Sequence, residues 1–189
     1  MMLDRIKKNR LEARLSGSGG QGLILSGIIL ARAAVYDNRH VTQTQSYGPE
    51  SRGGASRADV IISQNEIFYP EATALDVFVA LTQEACDKYL YDLKDDGILI
   101  VDTTFVKNVS IFGVPIYELP FTEIAVEKLG TKLPTNIIVL SFLVKKTKIV
   151  TQKSLESAIK QSVKPAYVDL NIKAMNLGFK LAKETKKES

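Results

Sequence analysis

Short apolar blocks separated by polar turns occupy the first two-thirds of the chain, and a longer, helical period takes over after Pro134. Leu11–Leu15 reads as a first strand, and Leu23–Val35 reads as a helix that is apolar almost all round, interrupted only by Ser26, Gly27 and Arg32. Burial on both sides is what such a helix requires, supplied by the sheet on one side and by either the C-terminal helices or a second chain on the other. His40–Gln45 alternates as a strand. Arg57–Ser63 and Ile67–Tyr69 flank Gln64-Asn65-Glu66 and predict a hairpin. Asp76–Leu81 is a continuous apolar strand, followed by a helix from Thr82, whose hydroxyl suits an N-cap, to about Leu93. Asp95-Asp96-Gly97 predicts a turn into the strand Ile98–Asp102. Pro115–Leu119 is a further strand, and Phe121–Leu129 a helix ended by Gly130. Beyond Pro134, Asn136–Val144, the set Leu155, Ala158 and Ile159, and the stripe Leu170, Ala174, Leu177 and Leu181 predict helices that cover the sheet.

This order predicts an α/β, Rossmann-like fold with a mainly parallel sheet, flanking helices, a hairpin and a helical C-terminal part. No internal repeat or linker divides it, so residues 1–189 are expected to form one domain with frayed ends at 1–10 and 183–189. Composition narrows the function classes. The net charge of +4 comes from 25 Lys and Arg against 21 Asp and Glu, and the surplus lies near the two ends. No basic stripe is interleaved with aromatics and there is no Trp, which speaks against nucleic-acid binding. The longest apolar span, Ile137–Val144, is far short of the ~20 residues of a membrane helix, and the polar N-terminus lacks a signal-like apolar core, so a cytoplasmic location is expected. A single cysteine, Cys86, excludes an internal disulfide and a cluster site built from this chain's own thiols.

The candidate chemistry starts in the turn Ser16-Gly17-Ser18-Gly19-Gly20-Gln21-Gly22, between the first strand and the first helix. Glycines there allow positive φ and close approach, and the helix N-terminus favours phosphate or carboxylate. A phosphate cradle and a turn that only packs helix on strand both account for it. In open α/β sheets, ligands sit beyond the carboxyl ends of the strands. Four segments leave strands at that edge: 17–22, 47–54, 82–83 and 102–104. The expected binding set is Gly19, Gly20, Gln21 and Gly22 from the first loop and Tyr47, Gly48, Glu50, Arg52, Gly53 and Gly54 from the second. Arg52 suits a bidentate phosphate or carboxylate clamp, and an ion pair with Glu50 is the alternative.

Gly17-x-Gly19-x-x-Gly22 matches the dinucleotide fingerprint, but the acidic residue that should hold the ribose is misplaced. Asp37 precedes the second strand, whose far end carries Gln43-Thr44-Gln45. His40, the single histidine, starts that strand, away from the carboxyl edge, so no histidine general base is expected.

The glycine turn, the long apolar helix and then Thr42-Gln43-Thr44-Gln45-Ser46-Tyr47-Gly48-Pro49-Glu50-Ser51-Arg52-Gly53-Gly54 together resemble the gamma chain, or gamma domain, of the 2-oxoacid:ferredoxin/acceptor oxidoreductases. The resemblance covers nearly the whole chain. Within that family, Thr42–Ser63 and Gln83–Tyr89 are most similar to the 2-oxoglutarate enzymes, with the pyruvate, 2-oxoisovalerate and indolepyruvate members as alternatives. The resemblance implies a multisubunit enzyme that decarboxylates a 2-oxoacid on thiamine diphosphate and Mg²⁺, passes electrons through iron–sulfur clusters to ferredoxin or another acceptor, and releases an acyl-CoA. It implies alpha, beta and ferredoxin-like partner subunits, with this chain near the coenzyme A side and holding no cofactor alone. No Gly-Asp-Gly segment followed by Asn is present to hold a thiamine pyrophosphate and its metal. A scaffold subunit that contributes only contacts is the other reading of the same loops.

Overall fold

A computed structural model of the chain describes residues 9–46, 54–111 and 113–185. Six strands, β1 (Arg10–Gly17), β2 (His40–Ser46), β3 (Ser56–Ser63), β4 (Leu75–Ala80), β5 (Leu93–Asp102) and β6 (Ile116–Leu119), form one sheet in the order β2-β3-β1-β4-β5-β6. β1, β4, β5 and β6 pair in parallel, and only β3 runs against its neighbours, between β1 and β2. Six α-helices complete the fold: α1 (Leu23–Tyr36), α2 (Gln83–Tyr89), α3 (Phe121–Leu129), α4 (Thr135–Thr147), α5 (Gln152–Ser162) and α6 (Val168–Glu184). The expected α/β architecture is therefore the observed one.

The position of β3 corrects one expectation. Ile67–Tyr69 is not a strand: Phe68 stands 90% exposed, and β3 pairs with β1 and β2 instead. The reason lies in β3's two edges. β1 and β2 take up both edges of β3 along nearly its whole length, which leaves no edge for Ile67–Tyr69 to pair with, and the antiparallel pair adjacent in sequence is β2 and β3. A second correction concerns Leu93. The α2 helix stops at Tyr89, and Leu93 already pairs with Leu75, so Asp95-Asp96-Gly97 is an irregular stretch inside β5 rather than a turn before it. Two steps along β4 match five along β5 there, a bulge that accommodates the polar run. At the ends, Arg10 opens β1 and α6 continues through Glu184. Residues 1–8 and 186–189 lie outside the described part.

Most of the core lies on one face of the sheet. Leu11, Ala13 and Leu15 of β1 and Val77 and Val79 of β4 meet α1, α3, α4, α5 and α6 there. The helix buried all round is α4, where every residue from Thr135 to Val144 is inaccessible. Its Phe142 ring meets Tyr117 and Phe121 edge-on at 5.4 and 5.3 Å. Gly178 lets α6 cross α4 closely, since a Cβ there would collide with the Ile138 carbonyl. α1 packs on β2, β3, α4 and α5, yet Ile24, Ile28 and Ala31 remain half-buried and Val35 is 53% exposed.

The opposite face carries a smaller core under α2, with Phe78, Leu99, Val101 and Cys86 among its members. Arg14 is buried in this layer. Its Nε and Nη2 donate to the two Asp59 oxygens at 2.7 and 3.0 Å, Nη1 donates to Asp92, and Nη2 also reaches the Ala72 carbonyl at 3.2 Å. Burial alone would lower the guanidinium pKa, but the hydrogen bonds and charges of Asp59 and Asp92 outweigh it and the pKa is raised. On the helical face, Asp37 at the end of α1 accepts from Thr151 N and Oγ1 at 2.6 and 2.9 Å and from Ser154 Oγ at 2.5 Å. The carboxylate so misplaced for a ribose thus fixes the start of α5.

Two substitutions test these fastenings. Arg14→Met is expected to cost about 3–5 kcal/mol in chemical denaturation, because Asp59 loses its bidentate partner while buried, and Arg14→Met with Asp59→Leu is expected to recover most of it. Asp37→Ala is expected to cost about 1–2 kcal/mol through loss of the carboxylate's hydrogen bonds from Thr151 and Ser154 at the start of α5, with Asp37→Asn losing less.

Candidate binding edge

The carboxyl ends of the parallel strands lie together at one edge, and the register places both glycine loops there. Gly17 pairs with Ser56 and Ser46 with Arg57, so the second loop leaves and rejoins the sheet beside the first. The 81–83 segment joins them through Leu81 N, which donates to the Ser16 carbonyl at 2.8 Å.

In the first loop, Gly20 and Gly22 adopt φ of 86° and 73°, and Gly22 caps α1. α1 has no side-chain cap and no acidic residue in its first turn, so its leading N–H groups retain their positive end. Nothing lies within 4 Å of where a side chain would start at Gly19 or Gly20, which leaves that part of the turn open. Gln21 points the other way. Its Oε1 accepts from Ser18 N at 2.8 Å and its Nε2 donates to the Leu81 carbonyl at 3.3 Å, pinning the turn to the end of β4. Gly17 leaves room for it, since a Cβ there would displace Gln21 Oε1.

Tyr47, Gly48, Glu50, Arg52 and Gly53 lie outside the described residues. The point at which their loop returns is fixed. Gly54 is half-buried, Ala55 N donates to Glu84 Oε1 at 3.1 Å, and the Ala55 carbonyl accepts from Tyr89 OH at 3.3 Å. Both anchors lie on α2, whose start is capped as expected by Thr82, accepting from Ala85 N at 3.3 Å.

The other polar groups of this edge are committed to the fold. Gln83 Oε1 accepts from Lys107 N and Asn108 N at 2.8 and 3.0 Å. Asp102, fully buried, accepts from Thr104 N on one oxygen and from Thr122 N and Oγ1 on the other, tying β5 to α3. The residue that sequence reasoning missed is Asn136. Its Nδ2 donates to the Gly22 carbonyl at 3.0 Å and to Ser26 Oγ at 3.1 Å, bringing the start of α4 against the start of α1. No local signal marks a contact across 114 residues. α4 also begins without a side-chain cap or an acidic first-turn residue, so two helix N-termini converge here. Only a small void of about 10 Å³, lined by Leu15, Leu23, Ser26, Val79, Leu81, Asn136 and Val139, lies beside them among the described residues.

This arrangement suits binding more than bond-making. His40 is exposed at the opposite end of its strand, and Cys86 is buried with its thiol pKa pushed up to about 11 by burial and by Asp87, so it stays protonated at neutral pH. Among the described residues, no group of three or more His, Cys, Asp or Glu side chains is placed to hold a metal ion, and no helix is long and apolar enough to cross a membrane.

Comparison with known proteins places this geometry. The family described as pyruvate ferredoxin/flavodoxin oxidoreductase matches residues 12–181. The chain is 45% identical over 186 residues to the 2-oxoglutarate synthase subunit KorC of Methanocaldococcus jannaschii, covering 97% of this chain and all of that one. Among solved structures, the gamma subunit of a keto/oxoacid ferredoxin oxidoreductase from Geobacter sulfurreducens superposes with a TM-score of 0.87 at 41% identity, over 96% of this chain and all of that one. The same fold, at 22% identity and a TM-score of 0.85 over 96% of this chain, forms 32% of a chain of 2-oxoglutarate:ferredoxin oxidoreductase from Magnetococcus marinus, solved with 2-oxoglutarate, coenzyme A and succinyl-CoA bound. With the family matched over residues 12–181 and relatives matched over nearly its full length, the chain belongs to the pyruvate ferredoxin/flavodoxin oxidoreductase family.

Proposed function

We propose that this chain is the gamma subunit, which does not hold thiamine, of a 2-oxoglutarate:ferredoxin oxidoreductase, and that its carboxyl-edge loops receive coenzyme A. The assembly oxidatively decarboxylates the 2-oxoacid to an acyl-CoA and delivers the electrons to ferredoxin or another low-potential acceptor. Thiamine diphosphate, Mg²⁺ and the iron–sulfur clusters belong to the alpha, beta and ferredoxin-like subunits, and the location is cytoplasmic. The observation that carries the coenzyme A assignment is the meeting of two uncapped helix N-termini, α1 and α4, at a glycine turn left open at Gly19 and Gly20. Phosphate oxygens are favoured there by the leading N–H groups of α1 and by the dipoles of both helices, while the first turn of α4 is buried with Thr135 N and Ile137 N already bonded to Lys132 and Pro134. Gly22 and Asn136 set the angle between the two helices, and Gln21 holds the turn, so these residues shape the cradle while the backbone donates. Arg52 is assigned the charge of the second loop, with Tyr47, Gly48, Glu50, Gly53 and Gly54 around it.

A scaffold role is the second reading, favoured by the inward commitment of Gln21, Gln83 and Asp102. Pyruvate, 2-oxoisovalerate or indolepyruvate as the oxidised acid is the alternative within the same chemistry.

Purified alone, the chain is expected to give no acceptor reduction with 2-oxoglutarate, thiamine diphosphate, Mg²⁺ and coenzyme A, and to regain it on co-expression with its partners. Turnover by the lone chain would overturn this division of labour. In the intact complex, Arg52→Ala is expected to raise KM for coenzyme A roughly tenfold, about 1.4 kcal/mol of uniform binding, with kcat less affected. Gly19→Val separates ligand crowding from backbone strain. Its φ is ordinary and its surroundings are empty, whereas Gly20→Val also forces a β-branched residue into a left-handed conformation. Gly19→Val is expected to weaken coenzyme A binding at unchanged stability; unaltered coenzyme A titrations for both Arg52→Ala and Gly19→Val would instead favour the scaffold.

A further inference from the structure

Three side-chain amides hold the loops at the carboxyl edge, and they spend their groups differently. Gln21 uses both ends, Oε1 accepting from Ser18 N and Nε2 donating to the Leu81 carbonyl. Gln83 does the same, Oε1 accepting from Lys107 N and Asn108 N and Nε2 donating to Asp87 Oδ1 and the Asn108 carbonyl. Asn136 uses one end. Its Nδ2 donates to the Gly22 carbonyl and to Ser26 Oγ, which occupies both hydrogens, while Oδ1 accepts nothing among the described residues. A backbone carbonyl can only accept, so the nitrogen is the end that must face Gly22 and the oxygen is the end left over.

Asn136 is only 7% exposed. Among the described residues, however, no side-chain polar atom shut off from solvent lacks a partner, so Oδ1 lies on the part of the side chain still reached from outside. Gly22 fixes its place. A Cβ built on that glycine would stand 2.5 Å from Nδ2 and 3.4 Å from Oδ1, so the amide lies across the position of the missing side chain. Oδ1 therefore borders the turn whose open positions are Gly19 and Gly20, and its neighbours around the small void are mostly apolar: Leu23, Val79, Leu81 and Val139. An acceptor this deeply set is costly to leave unpaired once a ligand closes over it.

We propose that Asn136 Oδ1 helps select the co-substrate by accepting a hydrogen bond from its pantetheine arm. The inference rests on the coenzyme A reading of this edge and adds to it a contact of opposite polarity. The leading N–H groups of α1 favour phosphate, whereas an amide oxygen repels phosphate and requires a donor. In coenzyme A the diphosphate leads directly into an arm of that kind. Its first stretch carries methyl groups suited to an apolar wall and two neighbouring donors, a hydroxyl and an amide N–H. With the diphosphate at the open glycines, this stretch is the part that comes next to Gly22 and Asn136. A co-substrate lacking the donor would leave Oδ1 unpaired beneath it, and a polar group stranded in that way discriminates more strongly than an apolar pocket does.

The test is a cycle on the intact complex, read as KM for the co-substrate. Coenzyme A is compared with two analogues that keep its thiol and phosphates, one lacking the arm's hydroxyl and one with an ester in place of its first amide. One of the two is expected to raise KM roughly tenfold in the wild type at similar kcat. In Asn136→Ala and Asn136→Leu the same analogue is expected to bind no worse than coenzyme A, because the oxygen it leaves unpaired is gone; which analogue behaves so identifies the donor. Loss of the Nδ2 bonds affects all three ligands alike and cancels in the comparison. Equal wild-type KM values for all three ligands would overturn the proposal without any variant. An analogue penalty of the same size in the wild type and in the variants would overturn it too. Failure of the coenzyme A reading looks different: Gly19→Val then leaves the titrations of all three ligands unaltered, whereas a Gly19→Val effect without an Asn136 cycle removes only the contact proposed here.

Discussion

Gly22 must be glycine for two independent reasons, and the binding edge depends on both. Its φ of 73° lies in the left-handed region, and a Cβ built on it would stand 2.5 Å from Asn136 Nδ2. The first condition lets the chain turn directly from β1 into α1. The second lets α4 start against that turn, with Asn136 accepted by the Gly22 carbonyl and Ser26. Any side chain there would both strain the backbone and turn the Asn136 amide away from its hydrogen bonds. Asn136 opens the helix that is buried all round and that contacts α1, α3, α5 and α6, so its bonds tie the turn to the centre of the helical layer.

The polar groups at this edge divide into those that build it and those that face outward. Gln21, Gln83, Asp102, Thr122 and Asn136 all have partners within the chain. They hold the ends of β1, β4 and β5 in place. Arg14 does the same on the other face, where β1, β3 and the segment before β5 share one guanidinium. Among the described residues, what remains for a ligand is chiefly main-chain N–H, and such donors bind anions without themselves titrating near neutral pH. An edge of this kind fits a subunit that holds a co-substrate while its partners carry the reaction.

Much of this organisation was legible in the sequence because it is local. The Gly17–Gly22 turn, the Thr82 cap, the Gly130 stop, with φ of 73°, and the apolar strands β4 and β5 follow from residue type and spacing. The misplacement of Asp37 for a ribose was equally plain from its position ahead of β2. What was not legible was set by distant parts of the chain. The pairing of β3 with both β1 and β2 depends on which strands need two neighbours, and Arg57–Ser63 alone reads equally well as half of a local hairpin. Gln21 looked like a ligand group because its partners, Ser18 N and the Leu81 carbonyl, become apparent only when β4 lies beside β1. The all-round apolar pattern of Leu23–Val35 was real, but α4 is the helix that is wholly enclosed, and α1 keeps one open flank.

The clasp on Asp37 has a consequence for the strand that follows it. Asp37 and Arg39 donate their N–H groups back to the last turn of α1, Asn38 takes a positive φ of 55°, and the Asp37 carboxylate is held by Thr151 and Ser154. The short connection into β2 is therefore fixed both to α1 and to α5. β2 enters the sheet with its direction already set at its first residue, so less of its backbone freedom remains to be lost as it pairs with β3.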